Sequence, residues 1–86
     1  MRLDKYLKVS RLIKRRTIAK DIADHERIYI NDRIAKPSSD VKIDDIIKIV
    51  YGTKRISVKV LDVNEYAKKD DAKQMYEIVL EENTTN

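Results

Sequence analysis

The sequence contains no cysteine, which removes disulfides, thiolate metal sites and cysteine nucleophiles. A single histidine, His25, excludes a histidine cluster. There is no phosphate-cradling glycine loop, since Gly52 is the only glycine. No run of about 18 apolar residues occurs, so nothing reads as a membrane span. The chain opens with Arg2, Asp4 and Lys5 instead of an apolar signal core, and a cytoplasmic location is expected. No residue pair has acid, base or nucleophile logic, so no enzymatic activity and no cofactor or metal are expected. With 86 residues the chain is one small domain, too short for a catalytic domain beside a binding module. Residues 1–80 are expected to form that domain, and 81–86, which lack any apolar residue, a frayed polar tail.

What the chain does have is unevenly placed charge. The net charge is +4, yet residues 1–20 hold eight cations against one acid, a net +7. Residues 37–86 hold eight cations against ten acids, a net −2. A field concentrated in this way attracts polyanions, above all nucleic acid phosphates. The first twenty residues include several arginines, whose planar fork matches phosphate geometry better than a lysine ammonium does.

The periodicity predicts a short helix over about 3–9, with Leu3, Tyr6 and Leu7 as its apolar stripe. Ser10 to Ile13 reads as a turn in which Leu12 and Ile13 tuck inward. A second helix is predicted over about 15–25, burying Ile18, Ala19, Ile22 and Ala23. The period then falls to two. Ile28 and Ile30 alternate with polar neighbours, Asn31-Asp32 is a two-residue turn, and Ile34 to Lys36 returns as the partner strand. Val41 and Ile43 lead into a second turn at Asp44-Asp45. Ile46 to Tyr51 and Arg55 to Val63 are the longest strand signals, and Met75 to Leu80 reads as a final strand. The fold class expected is α+β, two N-terminal helices packed on a small, mostly antiparallel sheet of four or five strands.

Three runs in this order carry a resemblance: Arg2-Leu3-Asp4-Lys5-Tyr6-Leu7, then Lys14-Arg15-Arg16-Thr17-Ile18-Ala19, then Ile28-Tyr29-Ile30-Asn31-Asp32. Over about residues 1–50 the chain resembles the RNA-binding domain first described in small-subunit ribosomal protein four. The stretches Lys8 to Thr17 and Lys36 to Lys42 are similar to the RqcP subgroup, related to the heat-shock protein that binds free large ribosomal subunits. The resemblance implies a domain that docks its helical edge on structured RNA. For the subgroup it implies an accessory factor bound to large-subunit ribosomal RNA and tRNA on a subunit still carrying peptidyl-tRNA. There it assists C-terminal alanine tailing in concert with the tailing factor RqcH. A monomer is expected.

The family's recurrent basic positions map onto Arg2, just before the first helix, and Arg16, at the start of the second. Lys5, Lys8, Arg11, Lys14, Arg15 and Lys20 complete the candidate RNA-binding set. Asp4 is expected to hold a neighbouring cation in place, and His25 to serve as a helix-end partner. Tyr29 and Tyr51 are candidates for base stacking or for sheet packing. The family's glycines are replaced here by Glu26, Asp32 and Asp44. Asp32 tolerates a positive φ, whereas Glu26 costs roughly 1 kcal/mol if it caps in the left-handed region. Two other functions fit the bare pattern. One is a DNA-binding helix-turn-helix protein, disfavoured by strands directly after the second helix. The other is an adaptor whose acidic C-terminal half binds a partner protein.

Overall fold

The computed structural model describes residues 1–13, 25, 27–51, 54–68 and 70–83. The first helix, α1, spans Leu3–Val9. It is followed by β1 (Ile28–Ile30), β2 (Arg33–Ile34), β3 (Ile46–Tyr51) and β4 (Lys54–Val60). A single 3-10 turn at Ala72–Gln74 precedes β5 (Tyr76–Asn83). The strands form one antiparallel sheet in the order β2-β1-β3-β4-β5. The α+β class and the five-stranded sheet therefore agree with the sequence reading. Among the described residues α1 is the one α-helix. The second helix expected at 15–25 falls, apart from His25, outside the described residues, as does Glu26.

The core lies between α1 and one face of the sheet. Leu3, Tyr6 and Leu7 are buried with Ile28, Ile47, Ile49, Val58, Val60 and Met75, and Leu12 and Ile13 pack against this cluster. The stripe that predicted the helix is thus its buried face. The Tyr6 hydroxyl donates a 2.7 Å hydrogen bond to the Met75 carbonyl, tying α1 to the far end of the chain. Burial pushes the Tyr6 phenol well above its ordinary pKa, with the charges of Tyr76 and Asp62 adding to the effect.

Turn chemistry sets the strand registers. Asn31 and Asp32 both have positive φ (51° and 68°), as a type I′ hairpin turn requires, and Ile30 pairs with Arg33. Asp44 also has positive φ (75°), so two of the three expected glycine replacements keep the left-handed backbone with aspartate. Asn31 locks the hairpin to the next turn. Its Nδ2 donates to Asp45 Oδ1 at 3.0 Å, and its Oδ1 accepts from the Ile46 N–H at 2.9 Å.

Three strands have bounds that differ from the sequence expectation. β2 begins at Arg33, before Ile34, and ends before Lys36, whose N–H donates to Ser39 Oγ at 2.8 Å. β4 stops at Val60, short of Val63, because the Leu61 and Asp62 N–H groups both turn to the Met75 carbonyl. β5 runs on to Asn83, so Glu81 and Glu82 pair with Ile56 and Arg55 instead of fraying.

Candidate nucleic-acid interface

The outer side of α1 carries the described part of the basic set. Its inner positions are committed to the core, so the intervening Arg2, Lys5 and Lys8 face away from the sheet. Arg2 and Lys8 are exposed, and Lys5 is partly so. Arg11 follows in the turn that ends the helix, also exposed, at φ 64°. Its N–H donates to the Lys8 carbonyl at 3.1 Å, and the Ile13 N–H donates to the Leu7 carbonyl at 3.1 Å. The helix is thus closed by a left-handed residue in the position that glycine usually fills.

The other end of α1 is closed by a loop. The Leu3 N–H donates to the Ser39 carbonyl at 2.8 Å and the Asp4 N–H to the Pro37 carbonyl at 3.1 Å. Arg2 forms an isolated antiparallel bridge with Asp40. The terminal ammonium lies 3.0 Å from Asp40 Oδ1, and that hydrogen bond holds the Asp40 carboxyl below the ordinary aspartate range. Lys36 and Lys42, exposed on this same loop, lie outside the basic set drawn from the first twenty residues. Only the fold brings their loop against the start of α1.

Asp4 organises Arg2. The Asp4 side chain is 3% exposed, the Arg2 side chain 56%. Arg2 Nε lies 3.3 Å from Asp4 Oδ1, and Arg2 Nη2 donates to Asp4 Oδ2 at 3.4 Å. The Lys5 N–H also donates to Asp4 Oδ1, at 2.8 Å. A buried carboxylate thus fixes one edge of a guanidinium whose other edge is free to reach solvent. This joins the two roles weighed from sequence: Arg2 pairs with Asp4 and is still exposed enough to meet a ligand.

Lys5 is differently placed. Its Nζ lies 3.5 Å from Glu65 Oε2, so its charge is offset by a residue from the loop after β4. Lys8 and Arg11 have no ion pair among the described residues. Lys14, Arg15, Arg16 and Lys20 lie outside the described residues, so the described part of the interface consists of Arg2, Lys5, Lys8 and Arg11.

Two cations of the sheet are taken up by neighbours. Lys59 Nζ lies 3.6 Å from Asp44 Oδ1. Lys48 Nζ lies 5.0 Å from the centre of the half-buried Tyr29 ring, a cation–π contact that favours sheet packing for this tyrosine. The Tyr51 side chain lies outside what is described. His25 is exposed. Among the described residues no group of acidic or histidine side chains could hold a metal ion. No described helix is long and apolar enough to cross a membrane.

The S4 domain family model matches residues 1–47, which include α1, β1 and β2. The chain is 56% identical over 81 residues to the RQC P-site tRNA stabilizing factor of Streptococcus pneumoniae, covering 94% of this chain and 92% of the relative. It is 54% identical over 82 residues to the protein of that name from Bacillus subtilis, covering 95% of each. Among solved structures it resembles the trimeric heat shock protein 15 of Vibrio cholerae, with a TM-score of 0.83 at 26% identity. That match covers 92% of this chain and 81% of the other.

Proposed function

Because the chain belongs to the S4-domain family, among relatives named RQC P-site tRNA stabilizing factor, we propose that it is an RNA-binding factor of ribosome-associated quality control and not an enzyme. In this reading it binds large-subunit ribosomal RNA and the P-site tRNA of a stalled large subunit in the cytoplasm. It holds the tRNA while C-terminal alanines are added, working as a monomer beside the tailing factor RqcH. The RNA-binding residues are Arg2, Lys5, Lys8, Arg11, Lys14, Arg15, Arg16 and Lys20.

The observation that carries the reading is the Arg2–Asp4 pair at the start of α1. A buried carboxylate that orients an exposed guanidinium pre-forms a phosphate grip, since one face of the fork is held and the other is presented. Lys8 and Arg11 extend positive charge along the helix beyond it. Phosphates spaced along a folded RNA backbone match a row of cations on a rigid element.

A second reading is large-subunit binding in the manner of heat shock protein 15. A homologue of that protein from Aeromonas salmonicida is 31% identical over 75 residues. The chain spans 57% of that relative's length against 92% of the pneumococcal one, which favours the first reading.

Crosslinking the chain to RNA in cells with stalled ribosomes, followed by sequencing of the captured RNA, tests the proposal. Co-enrichment of tRNA and one large-subunit ribosomal RNA site supports it. Ribosomal RNA without tRNA favours the second reading, and recovery of neither contradicts both.

A further inference from the structure

The loop between β4 and β5 presents an aromatic side chain that the core does not use. Tyr66 is 85% exposed, whereas Tyr6 is fully buried. Tyrosine is enriched at interfaces, where its ring meets a partner and its hydroxyl stays wet. The ring does not hang from a loose segment. The Tyr66 N–H donates to Asn64 Oδ1 at 3.0 Å, and the Ala67 N–H donates to the Asn64 carbonyl at 3.3 Å. Val63 and Ala67, on either side of it, pack against the core cluster that contains Leu3, Tyr6 and Leu7. The residue immediately before it, Glu65, forms the ion pair with Lys5 on the outer side of α1. The turn carrying Tyr66 is therefore anchored along the basic helix.

We infer that Tyr66 is a base-stacking residue, placed to receive an unpaired base of the RNA whose phosphates lie along α1. The inference rests on the RNA-binding reading above and deepens it. Charge separates the two kinds of contact. The Lys5–Glu65 pair offsets the charge of the residue beside Tyr66, which suits the face of a base better than a phosphate. Arg2, Lys8 and Arg11 supply the phosphate contacts at either side. Aromatic stacking is open to any base with an exposed face, so this contact selects unpaired nucleotides over paired ones and not one base over another.

The sequence allows a direct test, because the chain contains no tryptophan. The variant Tyr66→Trp is a single-tryptophan reporter at this position. Two RNA hairpins closed by the same tight, stacked loop are titrated, one with unpaired adenines bulged from its stem and one whose stem is fully paired, and purified large subunits are titrated in parallel. Stacking predicts quenching of the tryptophan by the bulged hairpin and by large subunits, and much weaker quenching by the paired hairpin. Tyr66→Ala is expected to weaken binding to the bulged hairpin about tenfold or more, whereas Tyr66→Phe retains it. The slope of log affinity against log salt is expected to stay unchanged in Tyr66→Ala, because no phosphate contact is lost, and to become shallower in Arg2→Ala. If the unaltered chain binds the RNAs but Tyr66→Ala binds as tightly, the stacking role is wrong and the RNA-binding reading stands. If the unaltered chain binds neither hairpin nor large subunits, the RNA-binding reading itself fails.

Discussion

Asp4 and Arg11, at the two ends of α1, tie the proposed interface to the fold. Asp4 is buried and spends its carboxylate on Arg2 and on the Lys5 N–H. Asp4→Asn keeps the volume and removes the charge. It is expected to lower stability by about 1–3 kcal/mol, the usual cost of disturbing a buried charged hydrogen-bond acceptor. It should also weaken ribosome binding severalfold through a loosened Arg2, and adding Arg2→Ala should then cost little more. Arg11 holds a left-handed backbone at φ 64° with a side chain that disfavours it. Arg11→Gly should raise stability by roughly 1 kcal/mol in a thermal melt while weakening RNA binding, a split that a purely structural role for Arg11 does not produce. The charge of Asp4 beside Arg2 is legible in the sequence because the two are near neighbours. The Lys5–Glu65 pair is not, since only the folded loop after β4 brings Glu65 to α1.

At the scale of elements, boundaries set by local periodicity are readable in the sequence and boundaries set by distant acceptors are not. Helix α1 and strand β3 follow their apolar periodicity and appear where it puts them. β2 and the end of β4 are decided by side-chain and carbonyl acceptors, Ser39 Oγ and the Met75 carbonyl, whose positions no local pattern reveals. The last part of β5 has no apolar signal because Glu81 and Glu82 lie at the sheet edge, where charge and the bulge opposite Ser57 and Val58 guard an exposed Ile78-Val79-Leu80 run against pairing with other strands. The Tyr6–Met75 bond joins helix to sheet, so Tyr6→Phe is expected to cost about 0.5–1.5 kcal/mol. For a domain of this size that is several degrees of melting temperature. The folded phenol's pKa is raised, so its contribution is fully present below the ordinary tyrosine pKa of about 10 and is lost as pH climbs above it. The stability gap between the unaltered chain and Tyr6→Phe should therefore hold at neutral pH and shrink in melts above about pH 10.

For the molecule as a whole, the division of charge was the most legible feature of function. The first twenty residues carry net +7 and the second half net −2, and the structure places Lys5 and Lys8 on α1, with Arg2 at its start and Arg11 in the turn that follows it. If about five phosphates are neutralised, log affinity should fall with log salt at a slope of roughly −3.5 to −4.5. In the proposed function α1 and the arginines of the basic set form a specific docking edge and not a diffuse positive field. The most direct test is co-sedimentation with large ribosomal subunits of Arg2→Ala, Arg16→Ala, Lys59→Ala and Lys68→Ala, each with a thermal melt. Losses of about 1–3 kcal/mol in binding are expected for each arginine variant, with stability largely kept in Arg16→Ala and lowered in Arg2→Ala, which removes an ion-pair partner of the buried Asp4, and less than about 0.5 kcal/mol for Lys59→Ala, whose charge Asp44 already offsets, and for Lys68→Ala. Equal weakening by all four variants would contradict the docking edge, leaving net charge alone as the source of binding.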